Sequence, residues 1–424
     1  MVISPKKLAA GTATAALAAV TVLGVSLQWS RSEAFFQDSP KEIVDEVWQI
    51  VDRDYVDSVG KFTPEGWRKL RNEYLSRDYK DKKEAYASIR EMLKTLGDPY
   101  TRFMDPDQFK DMQIDTSGEL TGVGIQLSQD PETKQLVVVS PIEGSPAAAA
   151  GVRSRDVILR IDSKTTQGMD SDQAVKLIRG PVGTKVTLTI KRGNEELTVP
   201  LTRQKIELHA VSFRRQDSSS GPVGYIRLRQ FNANAAAEMR QAIVALEKDN
   251  VNGYVMDLRS NPGGLLFGAI DIARMWMPKG VIVSTKDRQG ISEQATANNR
   301  AITSKPLVVL VDGGSASASE ILSGALQDNH RALLVGTKTF GKGLVQSVRP
   351  LGDGSGMAVT IARYLTPSGR DIHKHGIDPD VESKLDDKQR ETLAKNQDDI
   401  GTASDPQYRV AVQALQKEIA SARR

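Results

Sequence analysis

Residues 306–328 read PLVVLVDGGSASASEILSGALQD. The opening apolar run is continuous, the pattern of a strand buried on both faces. It stops at a cluster of glycine and serine, beyond which Ile321, Leu322, Ala325 and Leu326 recur at helical spacing. A flexible linker would have neither the buried run before it nor the amphipathic run after it. Ser315, Ser317 and Ser319 therefore mark a strand-to-helix junction inside a folded core, and a serine there is either a helix cap or a reactive group.

The surrounding chain supports a core of alternating strands and helices. VGYIRLRQF (223–231) reads as a strand, the alanine-rich stretch 233–247 as a helix, GYVMDLRSNPGGLL (253–266) as a strand and turn, and a further helix runs through Trp276. At 424 residues the chain is too long for one ordinary core, so several domains are expected. The formal charge is only +4, and residues 1–34 hold three cations against one anion, leaving +2 for the rest. That balance gives no reason to expect nucleic acid as a partner. Cysteine is absent, which excludes a thiol nucleophile. His209, His330, His373 and His375 lack the spacing of a helical zinc site, and neither a metal nor an organic cofactor has a recognisable motif.

At the amino end, Lys6 and Lys7 precede an uncharged run over residues 8–27, and Ser32 and Ala34 stand at the small-residue positions of a cleavage point. This is the pattern of an export signal, placing the remainder in a periplasm or an internal lumen; an uncleaved anchor, and membrane association through it, is the alternative. Next, Ile43, Val44, Val47, Trp48 and Val51 share a helical face after Ser39 and Pro40, and a second such face runs from Tyr86 to Leu96 and ends at Gly97. A helical module over 35–115 is expected, with Trp48 in its core. The period then shortens through TGVGIQLSQD, QLVVVSPIEGSPAAAAGVRSRDVILRIDSKTT and SDQAVKLIRGPVGTKVTLTIKR, giving short strands with one capped helix at 171–179. GSPAAAAGVRSRDVILRIDSK followed by RGPVGTKVTLTI resembles a PDZ domain of the bacterial protease type, spanning 116–205. The resemblance implies that Gly122, Val123, Gly124 and Ile125 hold backbone N–H groups toward a peptide's terminal carboxylate, with β-augmentation of the adjoining strand.

A serine at a helix N-terminus sits beside unpaired N–H groups and the positive end of the helix dipole, which favour a developing oxyanion. It needs a base. No GxSxG elbow is present, and His330 reads as a loop histidine. TFGKGLVQS offers Lys342 between two glycines that leave its stem room to approach a buried site, with Gln346 four residues on. Serine and lysine form a known dyad type. A lysine ordinarily titrates near 10.4, so a basic role requires burial to destabilise its cation by about 3–4 kcal/mol.

Taken together, DLRSNPGG (257–264), GSASASEILSGALQDN (314–329), GTKTFGKGLVQ (336–346) and TPSGRDIHKHGIDPD (366–380) resemble the carboxyl-terminal-processing, or tail-specific, serine proteases. The resemblance covers nearly the whole exported chain. It implies Ser317 as nucleophile, Lys342 as general base and Gln346 as the residue that orients the lysine. The backbone N–H groups of Gly263 and Ala318 become the oxyanion hole, and Ser315 and Ser319 become structural serines. It also implies a multidomain α+β fold: the helical module, an inserted PDZ-like β domain, an α/β protease core of the ClpP/crotonase-like type over 206–385, and a C-terminal helical segment over 386–424. Protein substrates with free C-termini are the implied partners, and the oligomeric state is left open. SPKEIVDEVWQIVDRDYVD and LGDPYTRFMDPDQF are most similar to members from photosynthetic lineages, cyanobacterial or of the chloroplast lumen, including the protease that trims the precursor of the photosystem II reaction-centre protein. Two rival classes fit the sequence less well. A catalytically silent PDZ adaptor has no use for Ser317, Lys342 and Gln346 together, and a crotonase-like acyl-CoA enzyme needs neither export nor a carboxylate-binding module.

Overall fold

The computed structural model describes residues 39–422 apart from positions 131, 220 and 291. The expected export segment, including Lys6, Lys7, Ser32 and Ala34, lies outside the described residues. Among the described residues no helix is long and apolar enough to cross a membrane. The fold is multidomain and mixes helices with sheets, and the chain divides into two compact units.

The first unit runs to Asp105 and takes in two later stretches, Val283–Ala295 and Leu344–Leu365. Its first helix, Pro40–Asp54, begins with a reciprocal cap: Ser39 Oγ accepts from the Glu42 N–H, and the Glu42 carboxylate accepts from the Ser39 N–H. Helices Pro64–Ser76 and Lys82–Lys94 follow. Trp48 and Trp67 are buried between them, and each indole donates to the other residue's carbonyl, at 2.8 and 3.2 Å. Burial therefore leaves neither indole N–H unpaired, and Trp48 is a core residue. The strand Gly356–Leu365 pairs antiparallel with Arg102–Met104, Val281–Lys286 and Leu344–Pro350. Met357 and Val359 on it are fully buried in the cluster that holds the helical faces, which is why strands late in the chain join this unit.

The second unit contains two large β sheets and a two-stranded ribbon that pairs Glu119–Gly122 with Gln204–Glu207. Residues 125–202 form a six-stranded antiparallel sheet: five strands run in the order Ile125–Gln129, Leu136–Pro141, Val157–Ile161, Lys185–Arg192, Glu195–Thr202, and the short strand Lys164–Thr165 pairs with Val157–Ile161 off that path. Ile125–Gln129 is an edge strand, and the helix Ser171–Ile178, capped by Asp170, packs its Ala174 and Ile178 into the same core. The other large sheet has six strands in the order Val211–Ser218, Gly221–Leu228, Gly253–Asp257, Leu307–Val311, Leu333–Gly336, Val381–Glu382. Its first pair is an antiparallel hairpin and the remaining pairings are parallel. Leu307–Val311 is buried at every position, as an unbroken apolar run in the middle of a parallel sheet demands. Val223, Tyr225, Val255, Val308, Leu310 and Val335 all enter one cluster with the C-terminal helix Pro406–Ala422, so that helix is packed core. Asp405 caps it by accepting from the N–H groups of Gln407 and Tyr408.

Candidate active site

The parallel strand Leu307–Val311 delivers the chain into the turn 312–317, and the helix Ala318–Asp328 leaves it. The three serines of this junction have separate fates. Ser315 Oγ donates to Leu258 O at 2.8 Å and Ser319 Oγ to Asn261 O at 2.9 Å, and both residues are fully buried. They fasten the turn to the neighbouring loop 258–264. Ser317 is half-buried and has φ 53° and ψ −112°. Those angles resemble the first central position of a type II′ turn, where glycine is the preferred residue, so a serine is held there at a cost of about 1–3 kcal/mol. The lower face of the turn is fixed by Asp312, whose Oδ1 accepts from the N–H groups of Ser260 and Gly314.

Glu320, fully buried on the first turn of the helix, joins the serine turn to the lysine loop. Its Oε2 accepts from the Ser317 N–H at 2.9 Å and from the Lys342 N–H at 2.8 Å. Its Oε1 accepts from Thr339 Oγ1 at 2.6 Å and from the Gly341 N–H at 2.7 Å. One carboxylate oxygen thus bridges the backbones of Ser317 and Lys342, which places the two residues together although 25 positions separate them in sequence. The Phe340 N–H adds a bond to Ser315 O at 3.1 Å. The glycines flanking Lys342 have a different task from the one expected. A Cβ at Gly341 would lie 2.9 Å from Gly376 N, and one at Gly343 would lie 2.8 Å from His373 N. They let the loop cross the 373–376 segment at close range.

Gly263 reaches the same place from the loop 258–264. With φ 99°, it approaches so closely that a Cβ would fall 2.7 Å from Ala316 O, 2.9 Å from Ala318 N and 3.0 Å from Ser317 Cβ. Gly263 and Ala318 are therefore brought together beside Ser317. The Gly263 N–H donates to Asn261 Oδ1 at 2.9 Å, while Asn261 Nδ2 donates to Leu228 O at 2.8 Å. The loop's base is a buried charge network: Arg259 makes paired hydrogen bonds to Asp257 at 2.9 and 2.6 Å and reaches Asp405 at 2.7 Å and Gln407 at 2.9 Å. Burial disfavours the charge on Asp257, but the adjacent Arg259 and Arg227 and the hydrogen bonds outweigh it and hold the carboxyl below its usual range.

Gln346 belongs to the first unit, on the strand Leu344–Pro350, whereas Ser317 and Lys342 belong to the second. Gln346 is the cross-strand partner of Thr360 and its Nε2 lies 3.5 Å from Thr360 Oγ1. The Thr360 hydroxyl in turn donates to the buried Asp98 at 2.7 Å, as Thr101 does at 2.8 Å. His330 lies past the far end of the 11-residue helix that Ser317 heads, about 16 Å along its axis, and a histidine triad through it is excluded. In the smaller β domain, Gly122 ends a strand paired with Gln204–Glu207 and Ile125 opens the edge strand. Val123 O accepts from the Ala147 N–H, and Gly124 O accepts from the Ile142 N–H and from Ser145 Oγ. The Val123 side chain is buried in the domain core, so only its backbone can serve a ligand. Among the described residues no group of three or more acidic or histidine side chains could hold a metal.

Sequence reasoning missed Glu320 and Asn261. The first had a signal, the Ser-x-x-Glu spacing of a capping box at 317–320.

A serine on a strained strand-to-helix turn, a lysine loop pinned to that turn and a glycine backbone pressed against it are the parts a serine peptidase requires. The particular kind follows from likeness to known proteins. Residues 222–383 match peptidase family S41, and residues 137–192 match the PDZ domain. A carboxyl-terminal-processing protease of Synechocystis sp. is 51% identical over 336 residues, 78% of each chain. The chloroplastic carboxyl-terminal-processing peptidase 2 of Arabidopsis thaliana is 42% identical, covering 79% of this chain and 67% of its own. The solved structure of a photosystem II D1 C-terminal processing protease is 40% identical and superposes with a TM-score of 0.55 over 82% of this chain and 93% of that one. The chain belongs to peptidase family S41, with the carboxyl-terminal-processing serine peptidases.

Proposed function

We propose that this chain captures the free C-terminus of a protein substrate on its PDZ domain and cleaves a nearby peptide bond with a Ser317–Lys342 dyad. The observation that carries this reading is the Glu320 carboxylate, which binds the backbone N–H of both residues through a single oxygen. Lys342 takes the proton of Ser317 Oγ as that oxygen attacks the substrate carbonyl. The N–H groups of Gly263 and Ala318 stabilise the oxyanion of the tetrahedral intermediate. Lys342 then protonates the leaving amine, an acyl-enzyme remains on Ser317, and a water activated by the same lysine hydrolyses it. Gln346 is assigned to orient Lys342 on the resemblance of its motif. Residues 122–125 and the edge strand Ile125–Gln129 are assigned to the substrate's carboxylate and its last residues.

The similarity to cyanobacterial and chloroplastic relatives supports the photosystem II reaction-centre precursor, in a lumen or periplasm, as the physiological substrate. The PDZ domain gates the site if capture precedes cleavage. The test uses an unstructured protein with an apolar free C-terminus, its amidated form, and the reaction-centre precursor, each incubated with the mature chain and with Ser317→Ala and Lys342→Ala. The expected result is cleavage near the C-terminus by the parent alone, with the amidated form cut more slowly. Equal products from all three proteins would leave the silent adaptor reading standing, and undiminished cleavage of the amidated form would remove the PDZ from the mechanism.

A further inference from the structure

Phe340 stands two residues before Lys342 and is 57% exposed, while Thr339 and Gly341 on either side of it are buried. Among the described residues five large hydrophobic side chains are exposed, two of them aromatic, and the other aromatic, Phe213, lies on the hairpin strand Val211–Ser218. Exposure of Phe340 does not come from a loose loop. Its own N–H is given to Ser315 O, two residues before Ser317. Thr339 is held through its N–H to Ile377 O at 3.1 Å and through its hydroxyl to Glu320, Gly341 and Lys342 bind Glu320 through their N–H groups, and Gly341 O accepts from the Lys374 N–H at 2.8 Å. Every backbone neighbour of Phe340 is tied inward, and the ring alone is directed to solvent on a rigid support.

We infer that the Phe340 side chain is a specificity determinant: it forms an apolar surface that receives a hydrophobic side chain of the substrate next to the bond cleaved by Ser317. The inference rests on Ser317 and Lys342 being nucleophile and base. An aromatic ring carried on a prefixed backbone loses little freedom when a peptide covers it, so the gain from burial appears almost wholly as selectivity. The occupant is a substrate peptide with an apolar residue beside the scissile bond, because the ring offers no hydrogen-bonding group and the backbone groups around it are committed within the fold.

The experiment compares the full chain with Phe340→Ala and Phe340→Leu on paired peptides that share one free C-terminal tail and differ in an apolar or a polar residue beside the cleavage site. Hydrogen exchange at Gly341 and Lys342 is followed in each variant. Phe340→Ala is expected to lower kcat/KM for the apolar peptide by roughly ten- to a hundredfold, mainly through KM, and to leave the polar peptide nearly unaffected. Phe340→Leu should restore most of the preference, and the exchange of Gly341 and Lys342 should match the parent in both variants. An unchanged ratio between the two peptides in Phe340→Ala overturns the inference, as does an equal loss for both peptides accompanied by faster exchange, which would make the ring merely structural. A fluorophosphonate probe separates this from the underlying reading: if the parent is labelled no faster than Ser317→Ala, the dyad assignment fails and the role of Phe340 falls with it.

Discussion

Replacing Glu320 by glutamine tests whether one buried carboxylate couples the serine turn to the lysine loop. Four donors converge on its two oxygens: the N–H groups of Ser317 and Lys342 on Oε2, and Thr339 Oγ1 and the Gly341 N–H on Oε1. Glutamine keeps one acceptor and turns the other into a donor. If its NH2 faced Ser317 and Lys342, two buried N–H groups would be left without an acceptor. Facing Thr339 is the cheaper arrangement, because Thr339 Oγ1 accepts only from the Ile377 N–H and has a lone pair to spare. The Gly341 N–H is then orphaned, at about 1–3 kcal/mol, the Thr339 hydroxyl proton loses its acceptor as well, and the two surviving bonds lose their charge reinforcement at about 1 kcal/mol each. The loop should open more easily by at least about 3 kcal/mol. Hydrogen exchange at Gly341 and Lys342 should accelerate roughly a hundredfold or more, with cleavage falling at least about tenfold in single-turnover assays of the folded protein. Exchange and cleavage both within about twofold of the parent would refute the coupling.

Two further outcomes follow from the same geometry. Ser317→Gly should abolish cleavage while stabilising the protein by about 1 kcal/mol, since glycine relieves the strain of a positive φ and loses only part of that gain to its greater freedom when unfolded; denaturant titration beside Ser317→Ala, which keeps the strain, checks it. The depressed carboxyl of Asp257 contributes stability that is complete above the ordinary carboxylate range, near pH 4, and is lost as pH falls through its lower folded value. Acid unfolding of Asp257→Asn should therefore be less steep than that of the parent, and equal slopes would show that the Arg259 network is not what titrates.

Much of this was readable because local physics decided it. The unbroken apolar run before Asp312 could only be a strand covered on both faces, and the helix after Ser317 announced itself by the spacing of Ile321, Leu322, Ala325 and Leu326. Ser39 and Pro40, and Asp405 before the last helix, are start signals that act within three residues, and the structure uses each of them as such. What escaped depends on partners distant in sequence. The capping spacing at Ser317 and Glu320 marks a helix start, but it carries no information that the second oxygen of Glu320 serves Thr339 and Gly341. Nothing local in residues 356–365 says that Met357 and Val359 pack with the helices of residues 40–94. In sequence the glycines around Lys342 suggest room for a side chain, because glycine reports only that something is close, not what. Here it is the backbone at His373 and Gly376.

The Asn261 side chain bears on catalysis through the proposed oxyanion donor. Its Oδ1 already accepts the Gly263 N–H, so an oxyanion forming at Ser317 must draw that donor away from a neutral amide oxygen, or share it, and a full negative charge is the stronger acceptor. A carboxylate in the same position would reverse the contest. Asn261→Asp keeps the size of the side chain but sets a second oxygen against Leu228 O, where the amide now donates, and it buries a charge at a site with no exposure to water. Both effects favour the protonated acid, so the new group's pKa is pushed upward. Protonated, it can donate to Leu228 O as asparagine does, and it leaves Gly263 facing a neutral oxygen. Above that pKa the variant should lose roughly 100- to 1000-fold in kcat, the usual loss for one oxyanion donor, and should recover as pH falls. A lysine base makes the parent's activity decline on acidification, and the variant keeps that base. The recovery therefore shows in the ratio of the variant's rate to the parent's, which should rise as pH falls. Parallel profiles would show that the Gly263 N–H does not stabilise the oxyanion, and that Asn261 only fastens the loop 258–264 to the serine turn.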